Sequence, residues 1–304
     1  KGQNNMAITN QEIAEIGAEV IGSPEPILIE LESFSTKMLD NAAEEGDTIK
    51  VPVYAKGTSD TFNAATENYE DTNGGGAAYQ DVVLSAHIKS TFTIAKATTR
   101  YDMVEMIRSA TSAVLQGANK FVYDKITAAA VTTVAFTGVA STFDSDDVAD
   151  LWQAAEDAEF NQMGRSLVLT NPYYTSLLKD ASLKNWDKSN DTQTLRKSIV
   201  RELNNFEVLS SNTLGTSAGA VGAENLVGFI TDRSALAVAC SIPAINDEEA
   251  NNVSFITQFQ GDNGMTVQFR KHYNAATGAV FGTCEVLLGA TMASGARMQR
   301  LISA

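Results

Sequence analysis

The chain has 304 residues, 44% hydrophobic and 19% charged, which is ordinary globular usage and rules out disorder throughout. Its 22 basic and 37 acidic residues leave a formal net charge of −15, so the body as a whole repels phosphate backbones and is not expected to grip nucleic acid without regard to sequence. Two cysteines and two histidines are too few for a disulfide framework or a dedicated zinc site.

Residues 1–36 carry Lys1 against six glutamates, a net −5. Asn10 can cap a short helix there, with Ile13, Ile16 and Val20 on one face, and Gly22, Pro24 and Pro26 end it. Such an arm needs a surface to lie on, either its own core or a neighbouring subunit. The amino terminus has no basic region followed by an apolar stretch, so no secretion leader is expected.

Thr48–Tyr54 (TIKVPVY) and Val82–Ala95 (VVLSAHIKSTFTIA) alternate as strands do. The polar stretch between them, softest at Gly74–Gly75–Gly76, suggests a projecting β-hairpin. From Thr99 to about Ala130 the period turns helical. Met103, Ile107, Ala110, Val114, Ala118 and Phe121 make a narrow apolar seam, which predicts a long helix lying across a sheet. The uncharged run from Ile126 to Phe143 is too rich in threonine to be read as a membrane span.

A run of seven acids from Asp144 to Glu159 contains no lysine or arginine and reads as a solvated helix. Val148, Leu151, Trp152, Ala155 and Glu159 mark one face of it, and its first acids meet the helix dipole. Ser166–Thr170 reads as a buried strand running into an Asn171 cap and Pro172. Helices are expected around Tyr173–Lys179 and Thr194–Leu203, and strands at Phe206–Ser210, Leu226–Ile230 and Leu236–Ile242, together a mixed α/β module. Val253–Gln260 and Met265–Lys271 flank an Asn263–Gly264 hairpin signal, and strands at Val280–Ala290 and Ala296–Ile302 close the chain. Residues 265–304 net +3, opposite in sign to the arm, which suits contacts between subunits.

No GxSxG, HExxH, GxxxxGK[ST] or GxGxxG motif occurs, and Gly219–Gly222 reads as a loop. Cys240 and Cys284 sit in apolar strands and read as buried thiols, not nucleophiles. His87 alternates with apolar neighbours as a structural or surface histidine, and His272 forms no dyad with Cys284 by sequence proximity alone. No catalytic, cofactor-binding or metal-ligating residue is assigned, and no cofactor or enzymatic activity is expected.

The order of elements resembles the tailed-phage major capsid protein family, the Hong-Kong-97-type fold. LVLTNPYYTSLL (Leu167–Leu178), NFEVLSSNTLG (Asn205–Gly215), LVGFITDRSALAVA (Leu226–Ala239) and the segment Phe269–Leu301 carry the likeness. It implies an α+β fold with an N-terminal arm at 1–45 and an extended β-hairpin loop at 46–98. A peripheral domain with a long spine helix would occupy 99–145 and 250–285, and an α/β axial domain 146–249 and 286–304. The implied function is that of a major capsid protein that self-assembles, as hexamers and pentamers, into the icosahedral head shell of a tailed bacteriophage and encloses its double-stranded DNA. The alternative is an encapsulin-type nanocompartment shell protein enclosing cargo enzymes. Partners would be further copies, a scaffolding protein or cleaved scaffolding segment, a portal protein, and packaged DNA through weak non-specific contact, with no membrane. The location would be the virion, and the host cytoplasm during assembly. Candidate inter-subunit contacts are Ile13, Ile16, Val20, Lys56, Arg100 and Arg108. Some relatives crosslink their shells between a lysine and an asparagine beside a glutamate; Lys56 is a conceivable donor, but no acceptor motif can be picked out.

Overall fold

The computed structural model describes residues 35–39, 43–54, 77–95, 100–184, 200–214, 225–244, 253–260 and 266–303. In chain order these form β1 (Ser35–Leu39), β2 (Thr48–Tyr54), β3 (Ala77–Val83), β4 (Ala86–Ile94), α1 (Arg100–Tyr123), β5 (Val134–Gly138), α2 (Ser145–Asp157), β6 (Ser166–Thr170), α3 (Asn171–Lys179) and α4 (Ala181–Lys184). Then follow β7 (Glu202–Leu203), β8 (Phe206–Ser211), β9 (Asn225–Thr231), β10 (Leu236–Ser241), β11 (Val253–Gln260), β12 (Thr266–Asn274), β13 (Ala279–Met292) and β14 (Met298–Ser303). One six-stranded sheet runs β1-β10-β13-β12-β11 with β4 also on β13, a second runs β5-β14-β9-β6-β8-β7, and β2 and β3 make a separate two-stranded ribbon.

α1 forms because its apolar residues repeat at steps of three and four. Met103, Ile107, Ala110, Val114 and Ala118 are buried against Val267, Phe269, Cys284, Val286 and Leu288 of the first sheet. At 24 residues it spans about 36 Å. It ends at Tyr123, short of the expected Ala130. Lys125 N and Ile126 N bond back only three residues, to Val122 O and Tyr123 O, and Thr127 Oγ1 takes the Ala130 N–H at 3.2 Å. A threonine side chain there competes with the helical ladder, and the β-branched run beyond it favours extension. The buried residues at the helix end are Val122 and Tyr123, whereas Phe121 is half-buried.

The alternating run from Val82 to Ala95 divides in two. Its first part belongs to β3, which starts at Ala77 and pairs with β2 in the register Thr48↔Val83 to Tyr54↔Ala77. Leu84 then turns into the core, its N–H on Asp47 O at 2.9 Å, and β4 pairs with β13 from Val280↔Ile94 to Leu288↔Ala86. The hairpin therefore exists, but half of its expected return strand is part of the first sheet.

The second sheet carries α2 and α3 on one face, through Val148, Leu151, Ala155, Leu167, Leu169, Tyr173 and Leu177. A capping box starts α2: the Asp144 carboxylate accepts from Asp146 N and Asp147 N, and that of Asp147 accepts from Asp144 N. Trp152, expected on the buried face, is 42% exposed. In α3 the cap position is Thr170, and Asn171 and Pro172 are the first helical residues. Of the helix expected at Thr194–Leu203, residues 194–199 lie outside the described residues, and Glu202–Leu203 is a strand paired with β8.

The chain crosses between the two sheets at points that differ from the domain bounds implied by the resemblance. β5, assigned with residues 99–145, pairs with β14 in the second sheet, and β10, assigned with 146–249, pairs with β1 and β13 in the first. The division at 285/286 cuts through β13, a single strand of 14 residues. Hydrophobic periodicity reports burial, not the sheet that buries it.

Gly289 sits where β13 meets the ribbon. A Cβ there would collide with the carbonyl of Val83 and lie 2.9 Å from Val82 Cγ1. We predict that Gly289→Ala lowers stability by about 1–3 kcal/mol, measured by urea denaturation; an unchanged midpoint would show that the ribbon yields freely.

Candidate functional site

A site that makes or breaks covalent bonds needs a nucleophile or acid–base pair with access to substrate. Neither Cys240 nor Cys284 is in a disulfide, and both are buried. Burial pushes the Cys284 thiol from its ordinary value near 9 up to about 11, helped by the Glu285 charge and opposed by the hydrogen bond from Thr111 Oγ1 at 3.7 Å. That is the setting of a packing residue. His272 stacks on Phe281, with ring centroids 5.6 Å apart. No group of three or more metal-ligating side chains occurs among the described residues. The concavities are shallow: about 410 Å³ beside Val253, Arg270 and Tyr273, and about 440 Å³ between β4 and the first turns of α1.

The charged groups inside the fold are paired. Glu285, with 0% side-chain exposure, has His87 Nε2 at 3.0 Å from Oε2 and accepts from Gln268 Nε2 at 3.3 Å on Oε1. Arg270 Nε lies 3.0 Å from the same Oε1, a contact held by charge and not by an aligned hydrogen bond. Strand register produces the cluster, since Gln268 faces Glu285 across β12–β13, and His87 and Lys89 lie two residues apart on β4. Asp232, also buried, accepts from Asn161 N, Ser234 N and the Ser234 hydroxyl, and lies 3.5 Å from Arg297 Nη1. Arg165 donates to Glu156 Oε1 at 2.7 Å and to the carbonyls of Asn161 and Phe160. Sequence reading missed these three clusters. A lone acid inside the apolar run VFGTCEVLLGA was the available signal for the first.

Outward-facing groups are apolar and charged together. On the ribbon Tyr79 is 66% and Val83 49% exposed; on α1 Tyr101 is 73% exposed. Of the sequence candidates, Ile13, Ile16, Val20 and Lys56 lie outside the described residues. Arg100 is the first residue of α1, and Arg108 sits on its exposed face, paired with Glu105 at 3.0 Å.

No protein-family model matches the chain, and no curated protein matches it. Solved structures do. The capsid of the cyanophage P-SCSP1u is 14% identical and covers 89% of this chain and 87% of its own, with a TM-score of 0.55. The mature capsid of bacteriophage PhiM1 is 8% identical, over 90% of this chain and 86% of its own, at 0.53. This is the phage-capsid fold. A virus-like particle from Pyrococcus furiosus shares it at 9% identity, over 96% and 98% of the two chains, at 0.51. The capsid fold here is α+β, as the resemblance implied, and no helix among the described residues is long and apolar enough to cross a membrane.

Two outcomes follow for the buried groups of this capsid fold. Glu285→Ala leaves Arg270 and His87 facing an empty site and is expected to cost about 3–5 kcal/mol in chemical denaturation, with Glu285→Gln costing less. For Cys284, the unfolded chain loses its thiol proton near pH 9 while the folded chain holds it to about 11. Stability is therefore expected to fall as pH rises from about 9 to 11, and Cys284→Ala to remove that part of the slope.

Proposed function

We propose that this chain is a shell protein, copies of which tile a closed container. The observation that carries the reading is agreement in fold over nearly the full length of both chains, at TM-scores of 0.55 and 0.53 with phage capsids. Charge and exposure support it. Every fully buried carboxylate of the fold described above is neutralised internally, while the ribbon and α1 present exposed aromatic residues beside charges. That is the make-up of surfaces that associate.

In this reading the container is the head of a tailed bacteriophage, with a double-stranded DNA genome inside. The stretch between β2 and β3 is the extended loop, α1 the spine helix of a peripheral domain, and the second sheet the axial domain. Ile13, Ile16, Val20, Lys56, Arg100 and Arg108 contact neighbouring copies within hexamers and pentamers. A scaffolding protein or a cleaved scaffolding segment guides closure, and a portal protein occupies one vertex. The net charge of −15 keeps the wall from adhering to packaged DNA, because a lysine-poor surface releases few counterions. The protein has no catalytic role.

A second reading, a nanocompartment shell enclosing cargo enzymes, is favoured by the likeness to the Pyrococcus furiosus particle.

Expression alone and with a candidate scaffold, followed by electron microscopy, tests both. Closed shells of uniform diameter are expected. Enlarged lattices that need the scaffold support the phage head, and ordered cargo peptides on the inner wall support the nanocompartment. A protein that stays monomeric in sedimentation under both conditions overturns the proposal.

A further inference from the structure

An open sheet edge offers a row of backbone donors and acceptors to any strand that can reach it, and proteins blunt such edges with charge, proline, glycine or brevity. In the two six-stranded sheets, four of the five described edges are blunted. β7 is two residues long, and β5 is five and ends in Gly138. β1 is five residues and contains Lys37, and β4 carries His87 and Lys89. β11 is different. VSFITQFQ runs eight residues with no charge, proline or glycine, and is rich in β-branched and aromatic residues. Among the described strands it pairs only with β12, and its one register irregularity is confined to Val253/Phe255. Ile256 is 43% exposed, and Gln258 is exposed beside it.

We infer that β11 is an association edge, on which β11 of a second copy adds antiparallel about a two-fold axis and joins two first sheets into one. The choice of a second copy rests on the shell reading above; the choice of strand rests on charge. Copies of a chain at −15 repel one another, and strands in a ladder lie about 4.8 Å apart. At that spacing like charges directly opposite are destabilising, and β11 has none to oppose. A strand meeting its own copy needs no complementary sequence, and a two-fold contact closes on itself without growing a fibre.

The test uses the full chain carrying Ile256→Lys and Gln258→Lys, with Ile256→Thr and Gln258→Thr as the conservative pair. The lysines reduce the net charge and so weaken general repulsion; any loss of association then reports on the edge. In sedimentation velocity the parent and the threonine pair are expected to dimerise or assemble. The lysine pair is expected to shift to monomer, with association weakened at least tenfold and far-UV thermal melts unchanged. Equal association of the lysine pair overturns the inference. Should that variant fail to melt cooperatively, amide exchange on the parent decides. Alternate amides of residues 255–260 slow on association if β11 pairs, and identical exchange in dilute and associated protein overturns it. Dimers that never progress to shells support the edge and sink the shell reading, while shells indifferent to the lysines do the reverse.

Discussion

The fold depends on the burial of β13 on both faces. Alternate residues Cys284, Val286, Leu288 and Ala290 pack in the cluster beneath α1, while Leu287 packs with Val51, Val53, Val82 and Leu84 of the ribbon segment. A strand covered on one side only can slip; a strand covered on both cannot, because a shift by one residue would send Glu285 into the helix interface and Val286 into the polar cluster. Pairing fixes the rest. β12 and β10 lie end to end along one side of β13, and β4 along the other, so its residues set the register for three strands at once. The one acidic residue on this strand is tolerated because His87, Gln268 and Arg270 surround it. Replacing such a cluster by well-packed apolar residues is often neutral or stabilising, so its presence is better read as fixing register than as adding stability.

The second sheet is tied to the first through a small joint. Three chain segments pass through it: residues 124–133 after α1, 232–235 between β9 and β10, and 293–297 between β13 and β14. Asp232 N–H bonds to Arg297 O, Thr231 Oγ1 donates to the same carbonyl at 3.3 Å, and Ala293 N and Ser294 N both donate to Ala235 O. Gly295 brings its backbone against the carbonyl of Ala130 where no side chain would fit. Arg300 Nε adds a bond to Val131 O at 2.8 Å. The backbones of all three segments thus close on one another, and the two sheets share the cluster around Val168, Phe229 and Met298 with α1. Bending between the sheets would break several buried hydrogen bonds together, each leaving a desolvated group that costs about 1–3 kcal/mol.

Most of the elements were legible in the sequence because their periods are strong. TIKVPVY and SLVLT matched their strands residue for residue, and the α1 seam was right from Met103 to Ala118. What sequence could not give was the partner of each strand. AHIKSTFTI looks the same whether it returns along a hairpin or joins β13, because alternation encodes one wet and one covered face and nothing about the cover. LAVACS likewise reads as part of the module before it, and its transfer to the other sheet depends on the Asp232 joint. The buried clusters were hidden for a related reason. Glu285 and Gln268 are separated by 17 positions, and Glu285 and His87 by 198, so their pairing exists only once three strands align.

The proposed self-association of so acidic a chain poses an electrostatic problem. At physiological salt, charges are screened beyond about 8 Å, so the overall −15 matters less than which groups face each other across a contact. Here the acids are unevenly placed. Asp144, Asp146, Asp147 and Asp150 crowd the start of α2, where burial first, and then the charges of Asp144, Asp150 and Asp146, push the Asp147 carboxyl up. The first sheet's face away from α1 has the opposite character, with Lys89, Arg270 and His272 lining one groove of about 280 Å³ together with Thr91 and Thr283. A molecule that crowds acids at the start of α2 and lines a groove on the other sheet with cations favours some orientations of approach to a second copy over others. Exposed pairs formed this way contribute only about 0.2–1 kcal/mol each, which is enough to select an orientation and too little to trap a wrong one. In a shell of the proposed kind, cohesion would then come from apolar and backbone contacts, distributed over enough moderate interfaces that errors are reversed before closure.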